Sequence, residues 1–190
     1  MSGMLFEEAP AVQQSERNPG EQSSAEISLH EQFMGLALRE ADKAGKMGEI
    51  PCGAVIVMDG TVIASGRNDN RGKRNPVRHA EIIAIEAACA HLGNERLGGC
   101  DLYVTKEPCA MCAGAIIHSR IERVFIGARD EKYGACGSRF DVLGNTGFNH
   151  TPEIVFGVLG GECTALIKSF FAQLRDRKRA ERDPGKAQDF

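Results

Sequence analysis

Leu102-Tyr103-Val104-Thr105-Lys106-Glu107-Pro108-Cys109-Ala110-Met111-Cys112-Ala113-Gly114-Ala115-Ile116-Ile117-His118 is the stretch whose reading decides the fold. Its first four residues have strand character, Lys106-Glu107-Pro108 turns the chain, and Cys109 to about His118 reads as a helix. A further strand, Arg123-Val124-Phe125-Ile126, follows almost at once. A strand, a helix and a strand with short connections require a parallel pair and a right-handed crossover. The unit places the chain in the α/β class.

Upstream, Gly53 to Met58 and Thr61 to Ser65 flank Asp59-Gly60, the two-residue signal of a hairpin. Ser28-Leu29-His30-Glu31 is a capping-box pattern opening an amphipathic helix, with Leu29, Phe33, Ala37 and Ala41 on one face, which ends near Gly45. A second helix is expected from about His79 to Leu92, with Gly93 as its C-cap. Downstream, Ala128 to Thr151 reads as loop and Glu153 to Phe156 as a fifth strand. Cys163, Leu166, Ile167, Phe170, Phe171 and Leu174 then recur at helical spacing. The expectation is a three-layer α/β/α fold around a mixed five-stranded sheet.

The 190 residues fit one domain, and with 42% hydrophobic residues but only 6% aromatics and no Trp its core is aliphatic. Seven cysteines, an odd number with only one pair at ligand spacing, argue against a disulfide framework and for a reducing, cytoplasmic compartment. No apolar run approaches the roughly 20 residues that span a bilayer, so no membrane partner is expected. Residues 1–27, rich in Glu, Gln, Ser, Pro and Gly, read as a disordered acidic leader; residues 28–182 form the expected domain and 183–190 a flexible tail. The net charge of −3 hides an asymmetry, because Gly66 to Arg78 carries Arg67, Arg71, Lys73, Arg74 and Arg78 against Asp69 alone. A second basic run, Arg175, Arg177, Lys178, Arg179 and Arg182, follows the last apolar stripe.

Chemistry concentrates in His79-Ala80-Glu81 and Pro108-Cys109-Ala110-Met111-Cys112. Cys109 and Cys112, three apart on a first helical turn, project their sulfurs to one side, where the helix N-terminus favours thiolates. His79, opening the neighbouring helix, adds a nitrogen. Three protein ligands leave one tetrahedral position for water, the pattern of a catalytic zinc site. Glu81, two residues after the histidine, is then a carboxylate spare to the metal, placed to move the water's proton to the leaving group. A structural zinc completed by His30, His91, His118 or His150 would leave Glu81 unexplained, and none of those histidines sits in a motif. A redox role for the cysteine pair fits neither the preceding proline nor the accompanying histidine. Cys52, Cys89, Cys100, Cys136 and Cys163 read as small packing residues.

The combination His-x-Glu with Pro-Cys-x-x-Cys is the signature of zinc deaminases. From about His30 to Arg182 the chain resembles the bacterial tRNA-specific adenosine deaminases, carried by Ile50 to Val55, by Leu102 to Ile121 with its His118-Ser119-Arg120-Ile121, by Gly127-Ala128-Arg129-Asp130, and by Gly137-Ser138. The resemblance implies a cytidine-deaminase-like fold, one Zn2+ per subunit, a homodimer, and conversion of adenosine to inosine at the wobble position of a tRNA anticodon stem-loop. It implies that Glu81 is the catalytic carboxylate and that Asn68 and the backbone around Ala80 read the flipped base. It also places Asp130 and Lys132 near the RNA, while Arg71, Lys73, Arg74 and Arg78 of the basic loop are expected to hold phosphates and Phe171 to stack on the strand. A free nucleobase or nucleoside deaminase, guanine deaminase among them, and a catalytically silent RNA-binding subunit are the alternatives. Two departures stand beside the site. Arg78 precedes the histidine where the family pattern has a small residue, and Lys106 replaces a leucine before Glu107.

Overall fold

A computed structural model describes residues 24–182 except Thr146. The elements run α1 Ser24–Lys46, β1 Gly53–Met58, β2 Thr61–Arg67, α2 Ala80–Leu92, β3 Cys100–Lys106, α3 Ala110–Ser119, β4 Arg123–Ala128, β5 Glu153–Phe156 and α4 Gly160–Arg182. Helix α1 starts four residues before the expected Ser28. That serine therefore lies inside the helix and not at its cap, and Ser24 to Ile27 continue the helix where leader was expected. Nothing between Gly20 and Gly35 breaks a helix, so the backbone continues helical ahead of the expected start. The rest of the expected leader and the expected tail 183–190 lie outside the described residues.

The sheet order is β2-β1-β3-β4-β5, with β1 antiparallel to β2 and β3, and β3, β4 and β5 mutually parallel. The hairpin closes through Asp59 and Gly60, at φ 49° and 73°, the left-handed pair that a two-residue turn requires. Register slips between Ile56 and Val57, which leaves Ile63 as an extra residue on the β2 edge.

Strands that read as continuous apolar runs sort into two faces by alternation. Ala54, Ile56, Leu102, Val104, Val124 and Ile126 pack with Ala80, Ala84 and Ala88 of α2 and Ala113, Ile116 and Ile117 of α3. Val55, Val57, Tyr103 and Phe125 face Phe33, Met34 and Ala37 of α1 and Cys163 of α4. The three-layer expectation holds. Small residues set the spacing: a Cβ on Gly66 of β2 would stand 2.2 Å from the Ala80 carbonyl oxygen, so α2 lies directly on the strand. Helix α4 departs from its expected outline, because Arg175 to Arg182 continue the helix and Cys163 is its one fully buried residue. Leu166, Ile167, Phe170 and Leu174 are half-buried.

This topology brings four chain segments to one end of the sheet. Because β1 runs against its neighbours, its start pairs with the ends of β2 and β3, Gly53 with Arg67 and Ala54 with Val104, while Lys106 pairs with Ala128 at the end of β4.

Candidate active site

Both metal-ligand motifs open a helix at that end of the sheet. His79 is the N-cap of α2 and Cys109 the N-cap of α3; both have extended backbone, and Cys112 falls on the first turn. The Pro108 ring fixes the approach to the cap, and the Cys109 carbonyl accepts from the Ala113 amide at 2.8 Å. The positive ends of two helices thus converge on three side chains that can bind a cation.

The three ligand atoms sit 3.5 to 3.7 Å apart: His79 Nδ1 to Cys109 Sγ is 3.6 Å, His79 Nδ1 to Cys112 Sγ 3.5 Å, and Cys109 Sγ to Cys112 Sγ 3.7 Å. Tetrahedral zinc with bonds of about 2.3 Å to sulfur and about 2.0 Å to nitrogen separates its ligands by about 3.8 Å for a sulfur pair and about 3.5 Å for nitrogen and sulfur. The residues fit zinc. His30, His91, His118 and His150 are not in the cluster, so among the described residues it has three members.

The hydrogen bond from Cys112 is the main cause that takes Cys109 down to about 3, and the same bond, with burial, pushes Cys112 up. Contact with Cys109 raises His79. Glu81 lies on the first turn of α2, buried, and burial raises its carboxyl above the ordinary range. Its Oε2 is buried without a hydrogen-bond partner, a costly condition unless something else at this site satisfies it.

His79, Glu81 and Cys109 line a cavity of about 430 Å³ together with Glu49, Ile50, Cys52, Asn68, Asn70, Arg71, Lys106, Glu107, Asp130 and Tyr133, and Cys112 lies buried behind it. Asn68 is buried and straps three segments together. Its Oδ1 accepts from the Ala80 amide at 2.9 Å, and its Nδ2 donates to the Ile50 carbonyl at 3.2 Å, leaving one N–H on the amide. The Ala80 amide is therefore committed to Asn68. Of the expected RNA contacts, Arg71 and Asp130 line the cavity and the others do not. Lys73 and Arg74 are exposed on the loop, and Arg78 faces Asp69 at 3.8 Å. Lys132 lies 5.2 Å from the Tyr133 ring centroid, and Phe171, 36% exposed, meets Phe170 edge-on on α4.

Two carboxylates went unassigned in the sequence. Glu49 Oε1 accepts the amides of Arg71 at 2.6 Å and Gly72 at 2.9 Å, pinning the basic loop to the cavity rim. Glu107 accepts the amides of Asp130, Cys136 and Ser138 and so gathers the 130–138 loop over Pro108. A Cβ on Gly134 would stand 2.4 Å from the Glu107 carboxyl carbon, so the loop wraps the carboxylate closely. The signal for Glu107 was its place inside the motif; Glu49, one acid beside a glycine, offered none.

A mixed five-stranded sheet with one histidine and two cysteines at paired helix N-termini, and a buried carboxylate beside them, defines a zinc-dependent hydrolytic deaminase. The chain belongs to the cytidine and deoxycytidylate deaminase family, whose zinc-binding region matches residues 27–128. It is 45% identical over 156 residues to the tRNA-specific adenosine deaminase of Bacillus subtilis (strain 168), covering 82% of this chain and 97% of that one. A solved structure from work on A-to-I editing by tRNA:A34 deaminases superposes with a TM-score of 0.69 at 46% identity, covering 71% of this chain and 98% of the other. A guanine deaminase from Nitrosomonas europaea superposes almost as well, at 0.67 over 75% of this chain and 84% of that one, with 25% identity. The backbone is common to both substrate classes, and side chains separate them.

Proposed function

We propose that the chain is a tRNA-specific adenosine deaminase, converting adenosine to inosine at the wobble position of an anticodon loop, as a homodimer in the cytoplasm. The identity to tRNA-acting relatives supports the substrate. The single observation that carries the chemistry is the buried, unpartnered Glu81 oxygen beside three ligand atoms at zinc spacing. Seven free cysteines accord with a reducing compartment, and no described helix is long and apolar enough to cross a membrane.

His79, Cys109 and Cys112 would hold the metal, which when bound would supply the Lewis acidity that makes water nucleophilic at neutral pH. Glu81 takes one proton from the water and delivers it to the ring nitrogen, then takes the second proton from the hydroxyl now bonded to carbon and delivers it to the departing amine. A carbon–oxygen bond forms, the carbon–nitrogen bond breaks, and ammonia leaves. Its raised pKa suits a group that must both accept and return a proton. The strap to Ile50 and Ala80 fixes the Asn68 amide and leaves it one N–H, which supports a role for Asn68 as a donor to an acceptor of the base. A base splayed from a single-stranded loop reaches such a pocket at small unstacking cost.

Replacing Glu81 by Ala is expected to lower inosine formation in an anticodon stem-loop by about 10² to 10⁴, the range for loss of a general acid–base group. Zinc content and RNA binding are expected to stay at parental levels; unchanged turnover would remove Glu81 from the mechanism. Assays of adenosine, guanine and cytidine beside the stem-loop address the second reading. Fast turnover of a free base with none on the stem-loop overturns the tRNA assignment.

A further inference from the structure

The cavity holds a charge pair that the mechanism above does not use. Lys106, at the end of β3, sends its ammonium to the Asp130 carboxylate, and both residues line the cavity with His79, Glu81 and Cys109. Four carboxylates line that space: Glu49, Glu81, Glu107 and Asp130. Glu49 and Glu107 are answered by backbone amides. Arg71, the other Lys or Arg of the lining, gives its guanidinium to the Gly48 carbonyl at 3.1 Å. A polyanionic strand approaching this cavity meets two Lys or Arg side chains in its lining, Lys106 and Arg71.

We propose that the Lys106 ammonium contacts a phosphate of the bound strand, with Asp130 holding it when no strand is present, so that Lys106 favours a nucleotide within a polymer over a free base. The proposal rests on the RNA-acting reading above and names a residue that sets its specificity. The exchange is easy on three counts. The Lys106 side chain is 24% exposed against 10% for Asp130, so the ammonium is the member of the pair that an arriving strand can reach from the cavity. Lysine carries three donors on a flexible stem and can change partner without moving the backbone. Asp130 keeps the Lys132 amide on its other oxygen at 3.0 Å, so its loop stays capped when the ammonium leaves. An uncharged free base offers the ammonium no anion, whereas a phosphodiester competes with the carboxylate because the anchored strand holds it at high effective concentration.

The test uses the zinc-loaded full chain and an anticodon stem-loop RNA, with binding followed by fluorescence anisotropy across a salt series and with steady-state kinetics. Lys106→Met is expected to raise Kd and KM about five- to tenfold with kcat nearly unchanged, and to flatten the slope of log affinity against log salt by about 0.7, the share of one single-strand phosphate contact. Lys106→Arg is expected to restore most of the affinity. Asp130→Asn, which frees the ammonium and removes a negative charge, is expected to tighten binding. If Lys106 only braced the loop through Asp130, both neutral variants would weaken binding alike. Parental binding in Lys106→Met, or no tightening in Asp130→Asn, overturns the proposal. Zinc content and melting temperature report folding of each variant separately. Absence of stem-loop deamination by the parent protein marks failure of the functional reading itself.

Discussion

His79 and Cys109 occupy the same place in two different helices, the residue whose carbonyl begins the helix while its side chain remains free. That position suits a metal ligand: its backbone is held by the first turn, and the nearby amides favour negative charge on the sulfur. Cys112, buried and one turn on, sets the distance between the sulfurs. Removing the nitrogen breaks a set of three that has no spare among the described residues. His79→Ala is therefore expected to lose zinc on dialysis, from about one ion per chain to a small fraction of that, with folding retained; metal analysis against circular dichroism decides. These residues were legible in the sequence because their chemistry depends on spacing alone. The acceptor role of Glu49 was not, since it depends on amides more than twenty positions away at Arg71 and Gly72.

Among the elements, the strands and helices followed their periodicity, while the connection after β4 did not announce its structure. Residues 128–151 have no repeating apolar pattern; they are organised around the Glu107 carboxylate and two short bridges, Cys109 with Gly134 and Cys136 with Asp141. Such order comes from backbone amides meeting one charge, which residue types do not encode. The same view explains α1 and α4. Local pattern found their apolar faces, but their ends were set by the absence of a breaker, so both helices run longer than the faces themselves. Burial raises Glu107, yet the hydrogen bonds of Ser138 and of the Asp130 and Cys136 amides outweigh it and hold the carboxyl below the ordinary range. A group depressed in the folded state contributes stability that is full above its unfolded pKa of about 4.3 and fades as the pH falls through the folded value. Glu107→Gln is expected to be less stable than the parent near neutrality, and its Tm should fall less steeply from pH 5 to pH 3. Parallel Tm profiles for the two proteins would contradict this account.

For the whole molecule, the distribution of charge matters more than its sum. A net −3 says little about nucleic acid, but the basic loop 66–78 and the basic half of α4 are the anionic partner's natural ground. Stem-loop affinity is expected to fall linearly on a log scale between about 50 and 200 mM salt, with a slope of several counterions. A flat response would remove phosphate contacts from the interface. That the fold is shared with a guanine deaminase at nearly equal TM-score shows why substrate cannot be read from architecture and has to be read from side chains.

The antiparallel placement of β1 between β2 and β3 has a consequence for metal affinity. Closing the thirty residues between His79 and Cys109 in a free chain costs about 3 kcal/mol of loop entropy, by the (3/2)RT ln n rule. Here the sheet has already closed that loop through its own hydrogen bonds. An ion arriving at the folded protein meets its three ligands already in register, an advantage of roughly two orders of magnitude in affinity over the same ligands on an unfolded chain. The hydrogen-bonded pairing of β1 with both neighbours is in this sense part of the metal's chelate effect.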